Sequence, residues 1–179
     1  MADWQVLLIT GPAGAGKTTT ARYFASTREE PTLYLSLDDV RGSVLSGLAN
    51  PSDGWSHQVA RQYGLAQQSI GHTARLYAAA GFKVVIDDAI FPEWPEANLA
   101  RWHKVLQGLA DRLVVLLPRL DVVQARNTQR SGLRLLHPDL VKTIYDMMLP
   151  WRGRNVLVID NSDLSLEQTA RQIVNDLEV

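Results

Sequence analysis

The 179-residue chain contains no cysteine, which excludes disulfides and thiolate metal sites. Its four histidines, His57, His72, His103 and His137, show no metal-ligand spacing. No apolar run approaches the ~20 residues of a membrane-spanning helix, so no membrane partner is expected. The N-terminal stretch lacks the basic start and cleavage site of a signal peptide, and a cytoplasmic protein is expected. Charge of one sign is also missing. With 18 basic against 19 acidic residues, the formal net charge is -1 and the sequence pI about 6.4. No overall basic field draws a long nucleic acid, although a local patch stays open. No repeat, low-complexity segment or linker interrupts the chain, and its length suits one compact domain over residues 1–179.

What is present is a glycine-rich loop. Gly11-Pro12-Ala13-Gly14-Ala15-Gly16-Lys17-Thr18 fills the template G-x-x-x-x-G-K-[ST], the phosphate-binding P-loop. Trp4–Thr10 before it reads as a buried strand and Thr18–Ser26 after it as a helix, which is the context the motif requires. The loop amides can converge on phosphate oxygens at a helix N-terminus, where Thr19 also stands. Lys17 can reach the β- and γ-phosphates as a point charge. The Thr18 hydroxyl can ligate Mg²⁺, a hard cation that prefers oxygen.

Strand-like and helix-like segments alternate along the rest. Strands are expected over Pro31–Leu37, Lys83–Ile86, Arg112–Leu117 and Asn155–Ile159. Helices are expected from about Ser56 to Ala80, over Pro95–Leu109, from an N-cap at Asp121 to Gly132, over Pro138–Leu149 with Pro150 as the stop, and after a capping-box pair at Ser165 and Gln168. This alternation implies an α/β fold, a mainly parallel sheet covered on both faces. Residues 41–57 carry Gly42, Gly47, Pro51 and Gly54 and read as a mobile acceptor region.

Two of the strands end in paired aspartates, Asp38-Asp39 and Asp87-Asp88. Ligands bind beyond the carboxyl ends of parallel strands, so all four are expected beside the phosphates. Asp87 follows an apolar run as a Walker-B carboxylate does and can hold Mg²⁺ directly or through water, while Asp88 can face the acceptor. Which of the two does which is left open, as is a capping role for either. Asp38 is the candidate general base, with Asp39 as its neighbour and competitor, unless both cap a helix over Val40–Leu48. Arg41 can hold a polar or anionic group of the acceptor.

Arg126, Arg130 and Arg134 recur every four residues. Like charges at that spacing repel, and a nucleotide's phosphates would offset the repulsion. This stretch, about 126–137, reads as a lid. Among the tryptophans Trp55, Trp94, Trp102 and Trp151, Trp55 is the best candidate for an acceptor pocket. Asn161, after the fifth strand, is where the base is expected.

Together these residues resemble the small P-loop kinases: the 5′-kinase domain of phage polynucleotide kinase, and zeta-toxin-like and chloramphenicol phosphotransferase-like proteins. Three segments carry the likeness: Gly11–Thr18, Asp38-Asp39-Val40-Arg41 as D-D-x-R, and Arg126–Gly132 as R-N-x-x-R-x-G. The resemblance implies a three-layer P-loop NTPase fold with sheet order 2-3-1-4-5. It implies Asp38 as base, Arg41 as an acceptor contact and Arg130, with Arg126, on the transferring phosphate, to which Lys17 belongs by its place in the P-loop. It leaves the roles of Asp87 and Asp88 open, and Asp39 and Asp88 are placed on the substrate side by position alone. ATP and Mg²⁺ are the implied cofactors. The expected activity is transfer of the ATP γ-phosphate to a hydroxyl of a small molecule, by a monomer or homodimer. A 5′-hydroxyl polynucleotide kinase and a non-catalytic nucleotide-dependent switch are the alternatives.

Overall fold

The computed structural model describes residues 4–132 and 135–177. Five parallel strands form one sheet in the order β2-β3-β1-β4-β5, the order the resemblance implies. β1 (Val6–Thr10) is fully buried at the centre, between β3 (Lys83–Asp87) and β4 (Asp111–Leu116). β2 (Thr32–Ser36) and β5 (Leu157–Ile159) are the edges.

Because strand side chains alternate, the continuous apolar runs bury both faces. Val6, Leu8, Val84, Ile86 and Val115 meet α3 (His57–Ala79) and α4 (Leu99–Leu106) on one face. Leu7, Ile9, Val85 and Val114 meet α1 (Lys17–Ser26) and α7 (Leu166–Leu177) on the other. α3 and α4 approach closely: a Cβ added at Gly71 would stand 2.7 Å from the Val105 carbonyl oxygen.

Caps set several helix starts. Ser56 Oγ accepts from Val59 N at 3.2 Å to open α3. Ser165 and Gln168 exchange the two bonds of the expected capping box. Other boundaries differ from expectation. β2 stops at Ser36, whose hydroxyl caps α2 (Leu37–Gly42), so Asp38 and Asp39 lie in a helical first turn and neither is the N-cap. Over the expected Pro95–Leu109 helix, a 3₁₀ turn at Pro95–Ala97 precedes α4, which Asn98 caps. α5 (Leu120–Thr128) has Arg119 at its N-cap, so Asp121 lies one turn-position inside, and Gly132 lies beyond its end. α6 (Pro138–Met148) ends with Leu149 as its C-cap, immediately before the expected stop at Pro150. The chain tightens into a 3₁₀ turn over Leu149–Gly153, whose early positions tolerate proline.

Candidate active site

The P-loop joins β1 to α1 at the carboxyl edge of the sheet. Its glycines are required by contact as well as by conformation. Gly11 and Gly14 have φ of 145° and 93°, and a Cβ on them would lie 2.1 Å from the Leu116 carbonyl oxygen and 2.6 Å from that of Val123. Gly16 stands at the N-cap of α1 with no side-chain cap, so the first-turn amides remain available to an anion. Lys17 donates to the Pro12 carbonyl at 3.2 Å. Burial lowers the pKa of its ammonium. The charges of Asp38, Asp87 and Asp88 oppose that shift and the charge of Arg130 adds to it. The charges of candidate residues from the ends of β2 and β3 and from beyond α5 thus act on one ammonium group.

The adjacent aspartates Asp87 and Asp88 separate by strand alternation. Asp87 shares the face of Val85. One of its oxygens accepts from Thr18 Oγ1 at 2.8 Å and the other from the Tyr34 hydroxyl at 2.5 Å. Thr18 and Asp87 offer hydroxyl and carboxylate oxygens side by side next to the P-loop amides, a donor set that fits Mg²⁺ completed by phosphate and water. Among the described residues no cluster of three His, Cys, Asp or Glu suggests a metal site built from protein alone. Tyr34 is pushed up to about 12 by burial and by its bond to Asp87, so its hydroxyl remains a donor.

Asp88 turns to the opposite face and is 5% exposed. Its carboxylate accepts from the Tyr63 hydroxyl (2.6 and 2.7 Å), Trp102 Nε1 (2.9 Å) and the Ala89 amide (2.6 Å). Burial raises it to about 6, against the pull of those donors. Asp88, expected on the substrate, is engaged by its own chain and ties α3 and α4 to the tip of β3.

Asp38 and Asp39 also part. Asp39 pairs with Arg22 at 3.0 Å. Asp38 is 83% exposed and stands 3.8 Å from Arg41 Nη1. Arg41 itself is buried; its Nη2 donates to the Ala49 carbonyl at 2.9 Å and its guanidinium lies 5.9 Å from the centre of the Tyr63 ring. The region expected to be mobile is strapped to α3 by Gln62, which bonds Ala49 N and Gly47 O, and by Gln58, which also donates to Gly47 O. Trp55 packs against Tyr63 and Trp94, with ring centres 5.4 and 4.3 Å away. Trp102 is fully buried and Trp151 donates to the Ile90 carbonyl, so both belong to the core.

On the other side of the P-loop, a cavity of about 310 Å³ is lined by Gly14, Gly16, Thr19, Arg126, Arg130 and Asn161, among others. Arg126, expected on the phosphates, donates to the carbonyls of Ala15 (3.4 Å) and Asn161 (3.1 Å). Asn161 Nδ2 donates to Ala15 as well, at 3.0 Å. Asn127, which follows Arg126, exchanges two bonds with the backbone of Leu136. Arg134 lies outside the described residues. Tyr34, Tyr63, Gln62 and Asn127 escaped the sequence reading. Only Asn127 sits within a recognised segment; Tyr34 and Tyr63 lie 53 and 25 residues before the aspartates they bond, and Gln62 bonds the backbone of Gly47 and Ala49.

The model of the AAA domain family matches residues 6–142, and the chain belongs to that family. No curated protein sequence matches it. Among solved structures, the tunicamycin resistance protein of Deinococcus radiodurans is 20% identical, with a TM-score of 0.67 over 99% of this chain and 97% of that one. A sugar kinase from Janibacter sp. is 15% identical, with a TM-score of 0.67 over 99% and 96%. Shikimate kinase from Acinetobacter baumannii, in complex with shikimate, is 15% identical, with a TM-score of 0.65 over 99% and 94%. The fold is therefore one that solved kinases share, and the kinship with P-loop kinases read from the motifs holds at the level of family and fold.

Proposed function

We propose that this AAA-domain family member is a phosphotransferase that moves the γ-phosphate of Mg·ATP to a hydroxyl of a small molecule. The observation that carries the reading is the surroundings of Lys17. The P-loop ammonium feels the charges of three strand-end carboxylates, Asp38, Asp87 and Asp88, and of Arg130, and Asp87 bonds the P-loop hydroxyl of Thr18 at 2.8 Å, which is more than phosphate binding alone needs. The triphosphate lies over the loop Gly11–Thr19, taking backbone N–H groups from Gly11, Ala13, Gly14, Ala15, Gly16, Thr18 and Thr19, with Pro12 shaping the turn but offering no N–H. Thr18 and Asp87 serve the magnesium side, where the ion draws charge from the transferring group. Asp38 orients the acceptor hydroxyl and takes its proton, because Asp39 is bound to Arg22. Lys17 and Arg130 hold the charge that develops on the phosphoryl oxygens. Arg41, backed by Tyr63 and close to Trp55 across that ring, serves the acceptor.

The structural neighbours whose names include sugar and shikimate kinases favour a small acceptor, as does the absence of a basic stripe. The D-D-x-R segment supports a second reading, a 5′-hydroxyl polynucleotide kinase. The test is transfer of labelled γ-phosphate across a panel of hydroxyl compounds and 5′-hydroxyl oligonucleotides. A labelled small molecule bears out the first reading and a labelled oligonucleotide the second. Asp38→Asn is expected to lower transfer by about 10²–10⁴-fold while nucleotide binding stays. Label recovered only as free phosphate across the panel overturns both readings.

A further inference from the structure

Asp87 bonds to Tyr34 as closely as to the P-loop residue Thr18. Tyr34 belongs to no motif. It lies on β2, two residues before Ser36, which stands opposite Asp87 in the register. That spacing puts the Tyr34 ring on the same face as Asp87 and sends its hydroxyl to Oδ1 at 2.5 Å, while Thr18 holds Oδ2 at 2.8 Å. The ring itself is braced: the Arg22 guanidinium lies 4.9 Å from its centre, and Arg22 is fixed by Asp39 at 3.0 Å. A carboxylate at a strand end can rotate about its last bond and present either edge. Two donors on opposite oxygens fix that rotation, and an outer hydrogen bond of this kind sets both orientation and basicity of a metal ligand.

We propose that Tyr34 is a positioning residue for the metal side of the site: by engaging Oδ1, it directs the Oδ2 edge of Asp87, beside Thr18, toward Mg²⁺ or its water shell. The proposal rests on the reading of Thr18 and Asp87 as the magnesium side. Arg22 and Asp39 thereby acquire a role behind Tyr34, which explains why the second aspartate of the pair is tied away from the acceptor.

The test uses the full chain and a fluorescent ATP analogue, with binding followed as Mg²⁺ is titrated. Tyr34→Phe keeps the ring and removes only the hydroxyl. Its Mg²⁺ midpoint is expected to rise by roughly 10-fold or more, with magnesium-free nucleotide affinity held within roughly twofold of wild type. In an Asp87→Asn background the same substitution is expected to add nothing, since the carboxylate it orients is gone. A Tyr34→Phe midpoint equal to wild type, or an equal shift in both backgrounds, overturns the proposal. Wild-type protein that binds no nucleotide overturns the phosphotransferase reading, and wild-type binding indifferent to Mg²⁺ overturns the magnesium assignment. The three failures are therefore distinguishable.

Discussion

On the cavity side of the P-loop, Arg126 and Asn161 donate to main-chain carbonyls, and Lys17 does the same from within the loop. On the acceptor side, Asp88 accepts from a phenol and an indole, and glutamines of α3 strap the segment around Ala49. The first arrangement fixes backbone, and backbone is what a phosphate chain needs, because every nucleotide presents the same tail. The second ties the tip of β3 and the backbone around Gly47 and Ala49 to side chains of α3 and α4. On the phosphotransferase reading proposed above, the first is the constant, phosphate-binding half and the second the half that sets the acceptor.

The sharpest way to break this division is Arg130→Ala. Arg130 lines the nucleotide cavity and its charge reaches Lys17, so transfer is expected to fall about 10²–10³-fold. Measured with saturating acceptor and nucleotide, an unchanged turnover would place the phosphate clamp elsewhere. Asp88 sharpens the other half. Its folded pKa of about 6 lies above its ordinary 3.8, so the folded state keeps its proton where the unfolded chain has lost it. Stability from this group is therefore highest at low pH and falls, by roughly 3 kcal/mol, as pH rises from about 4 through about 6. Asp88→Asn is expected to flatten that descent in urea midpoints measured across the range. Arg126→Ala has the smallest expected effect. It removes the donor to the Asn161 carbonyl, while Ala15 keeps its bond from Asn161 Nδ2, at a cost of about 1–3 kcal/mol, read by thermal or urea unfolding. ATP binding should weaken with it if Arg126 shapes the P-loop rather than touching phosphate.

The constant half was the legible one. Gly11–Thr18 announces strand, loop and helix within eighteen residues, and the alternation of segments is enough to specify a parallel α/β sheet. What local spacing does not contain is direction. Four-residue spacing suggests one helix face for Arg126 and Arg130, but α5 ends at Thr128, short of Arg130, and Arg126 meets two carbonyls, 111 and 35 residues away in sequence. Asp87 and Asp88 are chemically identical in the sequence. Their partners, Tyr34 and Tyr63, come from a different strand and a different helix, 53 and 25 residues earlier. Short polar segments misled for a related reason. At Leu37 the helix begins one residue before the aspartates because Ser36 is already a good cap, and propensity alone does not rank three successive cap candidates.

The Ala15 carbonyl has one further consequence, for biosynthesis. Both side chains that grasp it, Arg126 and Asn161, leave the ribosome long after the loop they steady, and Asn161 follows the last strand to join the sheet. A nascent chain can pair its central strands well before that. The side-chain bracing of the Ala15 carbonyl is therefore complete only once residue 161 has been made, after all five strands of the sheet.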